Sequence, residues 1–370
     1  MKYIGIELRR LSLPLVAPFR TSFGTQTRRD VLVIRTVASD AEGWAECGAL
    51  SEPTYSSEYV DATIDVLRRF LIPAIASQPT ISPQDVAPTL SRFRGHRMAK
   101  SAIETAILDA DLRATGVPLA RALGGTRDHV RCGVSVGIMD SIPALIDVVS
   151  DYLELGYMRI KLKIEPGWDM EPVRAVRERF GNDLMLQVDA NAAYEIHDAQ
   201  HLAKLDDFGL LMIEQPLDEG DLVHHAKLAD QILTPICLDE SITSARDAAN
   251  AIELGACKVI NIKPARVGGY LEARRIHDVC AAHGVPVWCG GMLETGIGRA
   301  ANLALAALPG FVYPGDTSAS DRYYTTDITA PFVLKDGTLD VPTGPGIGVD
   351  PIPEVLASTT ESVEWIPFSV

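Results

Sequence analysis

The middle of the chain repeats one pattern, a short apolar run that ends on a charged residue. It occurs at Arg159-Ile-Lys-Leu-Lys163, Met185-Leu-Gln-Val-Asp189, Leu210-Leu-Met-Ile-Glu214, Ile236-Cys-Leu-Asp239 and Val259-Ile-Asn-Ile-Lys263. The closing residues stand 26, 25, 25 and 24 positions apart. About 25 residues is one strand, one helix and two short loops, the unit of a parallel barrel. Extending the rhythm gives eight strand candidates, at residues 130–138, 158–164, 184–189, 210–214, 236–239, 259–263, 285–289 and 311–313. Helical patterns separate them, as over 142–155 and 271–283, and an alanine-rich apolar segment at 299–308 precedes the eighth.

The first 125 or so residues lack this rhythm. Residues 4–11, 31–37 and 43–47 resemble an antiparallel meander, and helices are expected over 56–71 and 98–114. In the second helix Ile103, Ala106, Ile107 and Ala110 recur at i, i+3, i+4 and i+7, a buried stripe that Gly116 and Pro118 bring to an end. Beyond Thr326 the chain turns extended at 332–334, has a Lys335-Asp-Gly turn, and is extended again at 338–341. The expectation is an α/β fold: an α+β capping domain over 1–125, a barrel over 126–326, and a segment, 327–370, that returns to the cap.

Composition narrows the partners. The 370 residues are 47 % hydrophobic and 22 % charged, with 34 Lys and Arg against 49 Asp and Glu, a net charge of −15. Such acidity disfavours nucleic acid and anionic membranes. No apolar run nears the roughly 20 residues needed to span a bilayer, and Met1 to Leu15 has no signal-peptide core, so a cytoplasmic protein is expected. The six cysteines form no Cys-x-x-Cys pair and read as small buried hydrophobes; the eight histidines show no zinc spacing.

The chemistry lies at the strand ends, where barrels carry their active sites. Lys161 and Lys163 are two apart on a strand and share its inward face. Burial beside a second ammonium should lower the Lys163 pKa towards that of a general base. A single Asp or Glu at a strand end is more often a helix cap than a ligand, but Asp189, Glu214 and Asp239 follow in register on neighbouring strands. Three carboxylates without nitrogen or sulfur suit a hard cation, Mg²⁺ first and Mn²⁺ second. Strands two and six carry Lys163 and Lys263, about half a barrel turn apart, so the amines should oppose each other across a substrate carboxylate. Metal coordination would stabilise the enediolate formed by loss of the α-proton. Two opposed bases permit racemisation; one base with one charge stabiliser permits β-elimination. Arg266, three residues after Lys263, is expected to depress that lysine by like charge, with a solvated structural arginine as the equal alternative.

Two rival classes are open. Gly296-Ile-Gly298-Arg-Ala-Ala301 fits a loose dinucleotide-binding form, with Asp316 downstream, and would imply an oxidoreductase; the alternative for the loop is an anionic substrate. That motif sits in the seventh unit and leaves the five charged strand ends unexplained. A metabolite-binding barrel without turnover is the other rival, although only catalysis needs opposed bases.

At Lys161-Leu-Lys163, Val188-Asp189-Ala-Asn191, Ile213-Glu214-Gln-Pro216, Leu238-Asp239-Glu-Ser241 and Asn261-Ile-Lys263-Pro the chain resembles the enolase superfamily, in its muconate lactonising subgroup. Segments 14–27, 95–100, 132–140, 159–169, 286–302 and 314–321 resemble the N-succinylamino acid racemase/o-succinylbenzoate synthase family. The resemblance implies a (β/α)7β barrel under the cap, a Mg²⁺-dependent racemase that also makes o-succinylbenzoate by syn dehydration, and a homo-oligomer, an octamer by the family's habit. Dipeptide epimerisation and muconate cycloisomerisation are the alternatives within the superfamily. It further implies a mobile loop near Phe19 and Phe23 closing over substrate, with Tyr55 in a second cap loop. Ser135, Asn191, Met292 and Leu293 match the family's substrate contacts, beside Lys161.

Overall fold

The computed structural model describes residues 1–368. Strands β1 (Tyr3–Thr21) and β2 (Gly24–Ala38) form a long hairpin, joined by β3 (Glu42–Cys47). The hairpin outruns the expected strands: Phe19 pairs with Gln26 and Arg20 with Thr25, so the anticipated lid loop is the overhanging tip of two strands. The helical stretch expected from residue 56 begins at Val60 and continues, through a wider turn, to Ala76. Its start is displaced because Glu58 is committed elsewhere, accepting the backbone N–H groups of Met98 and Ala99 at the start of helix Arg97–Thr115. Gly116 ends that helix in the left-handed region, at φ 71°. Helix Pro83–Leu90 was not anticipated from the pattern.

The expected first barrel strand is two strands. β4 (His129–Arg131) pairs antiparallel with a late strand, whereas β5 (Gly133–Val136) enters the barrel. The parallel sheet continues through β6 (Arg159–Lys163), β7 (Met185–Asp189), β8 (Ile213–Glu214), β9 (Ile236–Leu238), β10 (Val259–Ile262) and β11 (Val287–Cys289), adjacent in that order. The eighth position holds no regular strand. Residues 311–316 bridge the gap instead: Phe311 pairs with Val287 and Gly315 with Cys132, both parallel. The late partner of β4 is β12 (Thr338–Asp340), and β13 (Thr360–Pro367) lies antiparallel on β1. One apolar core lies between the barrel strands and their helices and reaches under the cap sheet; a second lies between the cap sheet and its helices, and a small third, Met212, Cys237, Val259 and Trp288, sits on the inward face of the strands. All six cysteines are buried thiols. Among the described residues no helix is long and apolar enough to cross a membrane.

Cap and barrel are tied by carboxylates from the cap set on barrel helices. Glu104, 2 % exposed on helix Arg97–Thr115, accepts the Leu271 N–H at the start of helix Tyr270–Ala282. Burial raises its pKa from 4.5 to about 7. A carboxyl raised in this way stabilises the fold fully below about 4.5, and the contribution is lost as pH rises through about 7. Glu104→Gln should therefore gain stability relative to the parent between pH 5 and 8, by roughly 2–3 kcal/mol in urea unfolding. Equal pH slopes for the two proteins would show that Glu104 ionises as it does in water.

Candidate active site

Strand register assembles the charged ends. Lys163 pairs with Asp189, and Asp189 with Glu214, so their side chains emerge at one level on one face. Glu214 pairs with Cys237, which places Asp239 one inward step higher, the stagger expected of tilted barrel strands. Asp189, Glu214 and Asp239 are at most 1 % exposed.

Each carboxylate is turned onto a cation. Lys163 Nζ donates to Asp189 at 2.6 Å and to Asn191 Oδ1 at 2.5 Å. Lys161 Nζ lies 3.0 Å from Glu214, 3.1 Å from Asp189 and 2.7 Å from Asp316. Lys263 Nζ donates to Asp239 at 2.7 Å, and Arg266 pairs with the other Asp239 oxygen. Among the described residues, accordingly, no three acidic, histidine or cysteine side chains are gathered closely enough to hold a metal ion. The donor chemistry still fits a hard divalent cation. The set is all oxygen, comes from three adjacent strand ends, and has the unpartnered buried atom Glu240 Oε2 beside it.

The lysines differ electrostatically. Lys163 is lowered, by burial first and then by Lys161, against the pull of Asp189. Lys161 is raised: burial opposes its charge, but Asp316, Glu214 and Asp189 together outweigh it. Lys263 is raised as well, with burial overcome by Tyr55, Glu240, Glu214 and Asp189. This corrects the expected depression by Arg266. The guanidinium is spent on Asp239 and on the carbonyls of Ile242 (3.0 Å) and Asn261 (2.8 Å), while acidic groups crowd Lys263. Arg266 is also buried, so it is no solvated surface arginine.

The other expected contacts fall in two groups. Tyr55 reaches the centre, its hydroxyl 3.1 Å from Lys263 Nζ and its ring centroid 4.7 Å from the same atom. Phe23 packs on Tyr55 at 6.0 Å, and Ser22 at the hairpin tip donates to the Ala190 carbonyl. Asn191 bridges Lys163 and Glu240. Ser135 is in register with Lys161 and its buried Oγ has no partner. Phe19, by contrast, is 7 % exposed and packs edge-on against Tyr323 under the hairpin. Met292 and Leu293 are buried in the loop after β11. A cavity of about 330 Å³ opens beside this centre, reaching Tyr55, Glu240, Ser241 and Arg266.

Several positions at this centre escaped the pattern reading. Asp316 looked like a ribose-binding acid; it holds Lys161 and Arg159 instead, which removes it from any dinucleotide site. Gln215 ties two strand ends together, its Oε1 accepting the Asp239 and Ser241 N–H groups and its Nε2 donating to Ser241 Oγ. Asn191, Ala192, Gln215 and Leu293 all have left-handed φ, between 38° and 62°, although none is glycine. Strain of that kind gathers where a site fixes its backbone. The Glu-Gln-Pro and Asp-Glu-Ser triplets were the available signals for Gln215 and Glu240.

A sheet of this architecture, with its charged mouth beneath an antiparallel cap, has close counterparts. Residues 4–124 match the mandelate racemase/muconate lactonizing enzyme N-terminal domain, and residues 144–355 the enolase C-terminal domain-like family. The chain belongs to this mandelate racemase/muconate lactonizing enzyme family of the enolase superfamily. It is 65 % identical to an N-succinylamino acid racemase from an Amycolatopsis species, over 99 % of this chain and 100 % of that protein. It is 49 % identical to an o-succinylbenzoate synthase from Geobacillus kaustophilus, over 94 % of each. The crystal structure of an enolase superfamily member from Listeria innocua superposes with a TM-score of 0.95 at 41 % identity, covering 100 % of both chains.

Proposed function

We propose that the protein removes the proton α to the carboxylate of an N-succinylamino acid and returns it to the opposite face. The observation that carries this reading is the bracket of two buried lysines, on β6 and just after β10, around three carboxylates from the strands between. The relatives named above support the substrate class.

Asp189, Glu214 and Asp239 are the residues that would hold Mg²⁺, or Mn²⁺ in its place. Bound there, the cation would supply Lewis-acid neutralisation of charge developing on the substrate carboxylate. Everything else is the work of side chains. Lys161, kept protonated by its three acidic neighbours, offers fixed positive charge to the same carboxylate. Lys163, whose pKa burial lowers, takes the α-hydrogen as a proton while its bonding pair stays on the substrate. Lys263, kept protonated, returns a proton to the α-carbon from the other face. The reverse direction exchanges the two roles. Asn191 orients the Lys163 amine and Tyr55 the Lys263 ammonium.

The same kind of anion, formed from a β-hydroxy carboxylate substrate, can instead expel the hydroxyl, which leaves as water with the proton that the base removed. One base, Lys163, then suffices for syn dehydration to o-succinylbenzoate while Lys263 holds charge, and the relative from Geobacillus supports this second activity. Polarimetry on a panel of N-succinylamino acids, run beside an absorbance assay for o-succinylbenzoate, tests the reading. Racemisation of several panel members is expected. Turnover confined to dipeptides or to muconate would overturn the substrate assignment.

A further inference from the structure

The glycine-rich sequence at 296–301 is not absorbed by proton transfer, and the structure gives it a different partner. Helix Gly296–Ala306 presents its free N–H groups to Glu46, at the end of cap strand β3. Glu46 accepts from Thr295 N at 3.0 Å, from Thr295 Oγ1 at 2.6 Å and from Gly298 N at 3.3 Å. A helix N-terminus favours a hydrogen-bond acceptor, and here the cap supplies one from within the chain, a carboxyl that burial and Glu294 push up to about 8. The glycines follow from close packing. A Cβ on Gly298 would lie 2.7 Å from Glu294 Cγ and 3.0 Å from Glu46 Oε2, and one on Gly296 would strike Thr329.

The segment held this way leads directly from the reacting centre. Gly290 lies against Lys263, where a Cβ would come within 2.7 Å of its Cε. Met292 follows, packed among the cap hydrophobics, with Glu294 accepting its N–H at 2.8 Å. Leu293 sits at φ 56°, its carbonyl accepting the Tyr324 hydroxyl at 2.6 Å. Two residues beyond Glu46, Gly48 packs on Ala265 and Met292. A small cleft of about 20 Å³ among Lys263, Met292, Glu46 and Glu294 marks the seam. The cap thus grips the Met292–Leu293 loop at both ends.

The geometry points to Glu46 as a positioning residue for substrate recognition: from the cap, it fixes the loop that starts against Lys263 and carries Met292 and Leu293, the substrate contacts that the family resemblance implies. This rests on the α-proton reading above. The reacting amines and the carboxylates have their own anchors, so loosening the loop removes binding shared by ground and transition states. Glu104 provides the control, since it ties the cap to a different helix and touches neither Met292 nor Leu293.

The test is steady-state kinetics of the metal-loaded full chain on an N-succinylamino acid, with metal affinity measured by calorimetry. Glu46→Ala should raise KM on the order of tenfold, leave kcat within about threefold and leave metal affinity unchanged. Glu46→Gln, which keeps an acceptor, should recover most of the loss, and Glu104→Gln should leave KM within about twofold. If Glu46→Ala does not fold, Thr295→Val, which loses only the 2.6 Å donor, should show the same KM-selective effect at smaller size. An unchanged KM in the folded variant, or a fall in kcat alone, would overturn the proposal. A parent protein without turnover would instead strike at the proposed function.

Discussion

Replacing Lys263 by alanine should abolish racemisation, by roughly 10³–10⁴-fold, while sparing α-hydrogen exchange from the enantiomer that Lys163 serves. Asp239 keeps Arg266 in that variant, so the carboxylate that Lys263 pairs with retains a cation and the protein should fold. The surviving exchange should be slower, because a buried positive charge beside the developing anion is lost, a term worth several kcal/mol in such sites. Dehydration should weaken for the same reason although it needs only one base. Chiral chromatography of substrate incubated in deuterated water reads both effects. Racemisation at the parent rate by a folded, metal-loaded Lys263→Ala would refute the two-base mechanism.

A loss on the order of 10³-fold is expected from Glu214→Gln, together with a fall of at least about 100-fold in affinity for the divalent cation. The exchange is nearly isosteric, and Lys161 keeps Asp189 and Asp316, so the ionic network survives in part. The effect should therefore appear in metal titration and turnover more than in thermal stability. Exhaustive chelation of the parent should reproduce the lost activity, and adding Mg²⁺ should restore it. Full activity after chelation would mean that the three carboxylates serve only their lysines.

The 25-residue rhythm made the strand ends legible because each strand is a buried apolar run whose last residue faces the barrel mouth. Lys163, Asp189 and Glu214 needed only that period and the two-residue alternation of strands. What stayed hidden depends on partners far away in the chain. Tyr55 meets Lys263 across 208 residues, Thr295 meets Glu46 across 249, and neither pairing leaves a periodic trace. The split of the first barrel strand was invisible for another reason: β4 and β5 are both short and only one residue apart, and their different partners separate them. Arg266 was placed near Lys263 correctly, but its effect was misjudged, because its charge is balanced by a carboxylate whose direction the sequence does not encode. The polar, threonine-rich hairpin tip resembled a loop because its strands run past the apolar core and meet the barrel mouth through single contacts, Ser22 on Ala190 and Phe23 on Tyr55, without an alternating apolar face.

The central claim is that two opposed lysines exchange the α-proton of an N-succinylamino acid at a metal-loaded carboxylate site. Its most direct test is proton NMR of each enantiomer separately, incubated in deuterated water with the unmodified protein and Mg²⁺. The account predicts loss of the α-hydrogen signal from both enantiomers, with deuterium in the inverted product and no exchange once the metal is chelated. Retention of the α-hydrogen by both enantiomers, across a broad panel and with metal present, would contradict it.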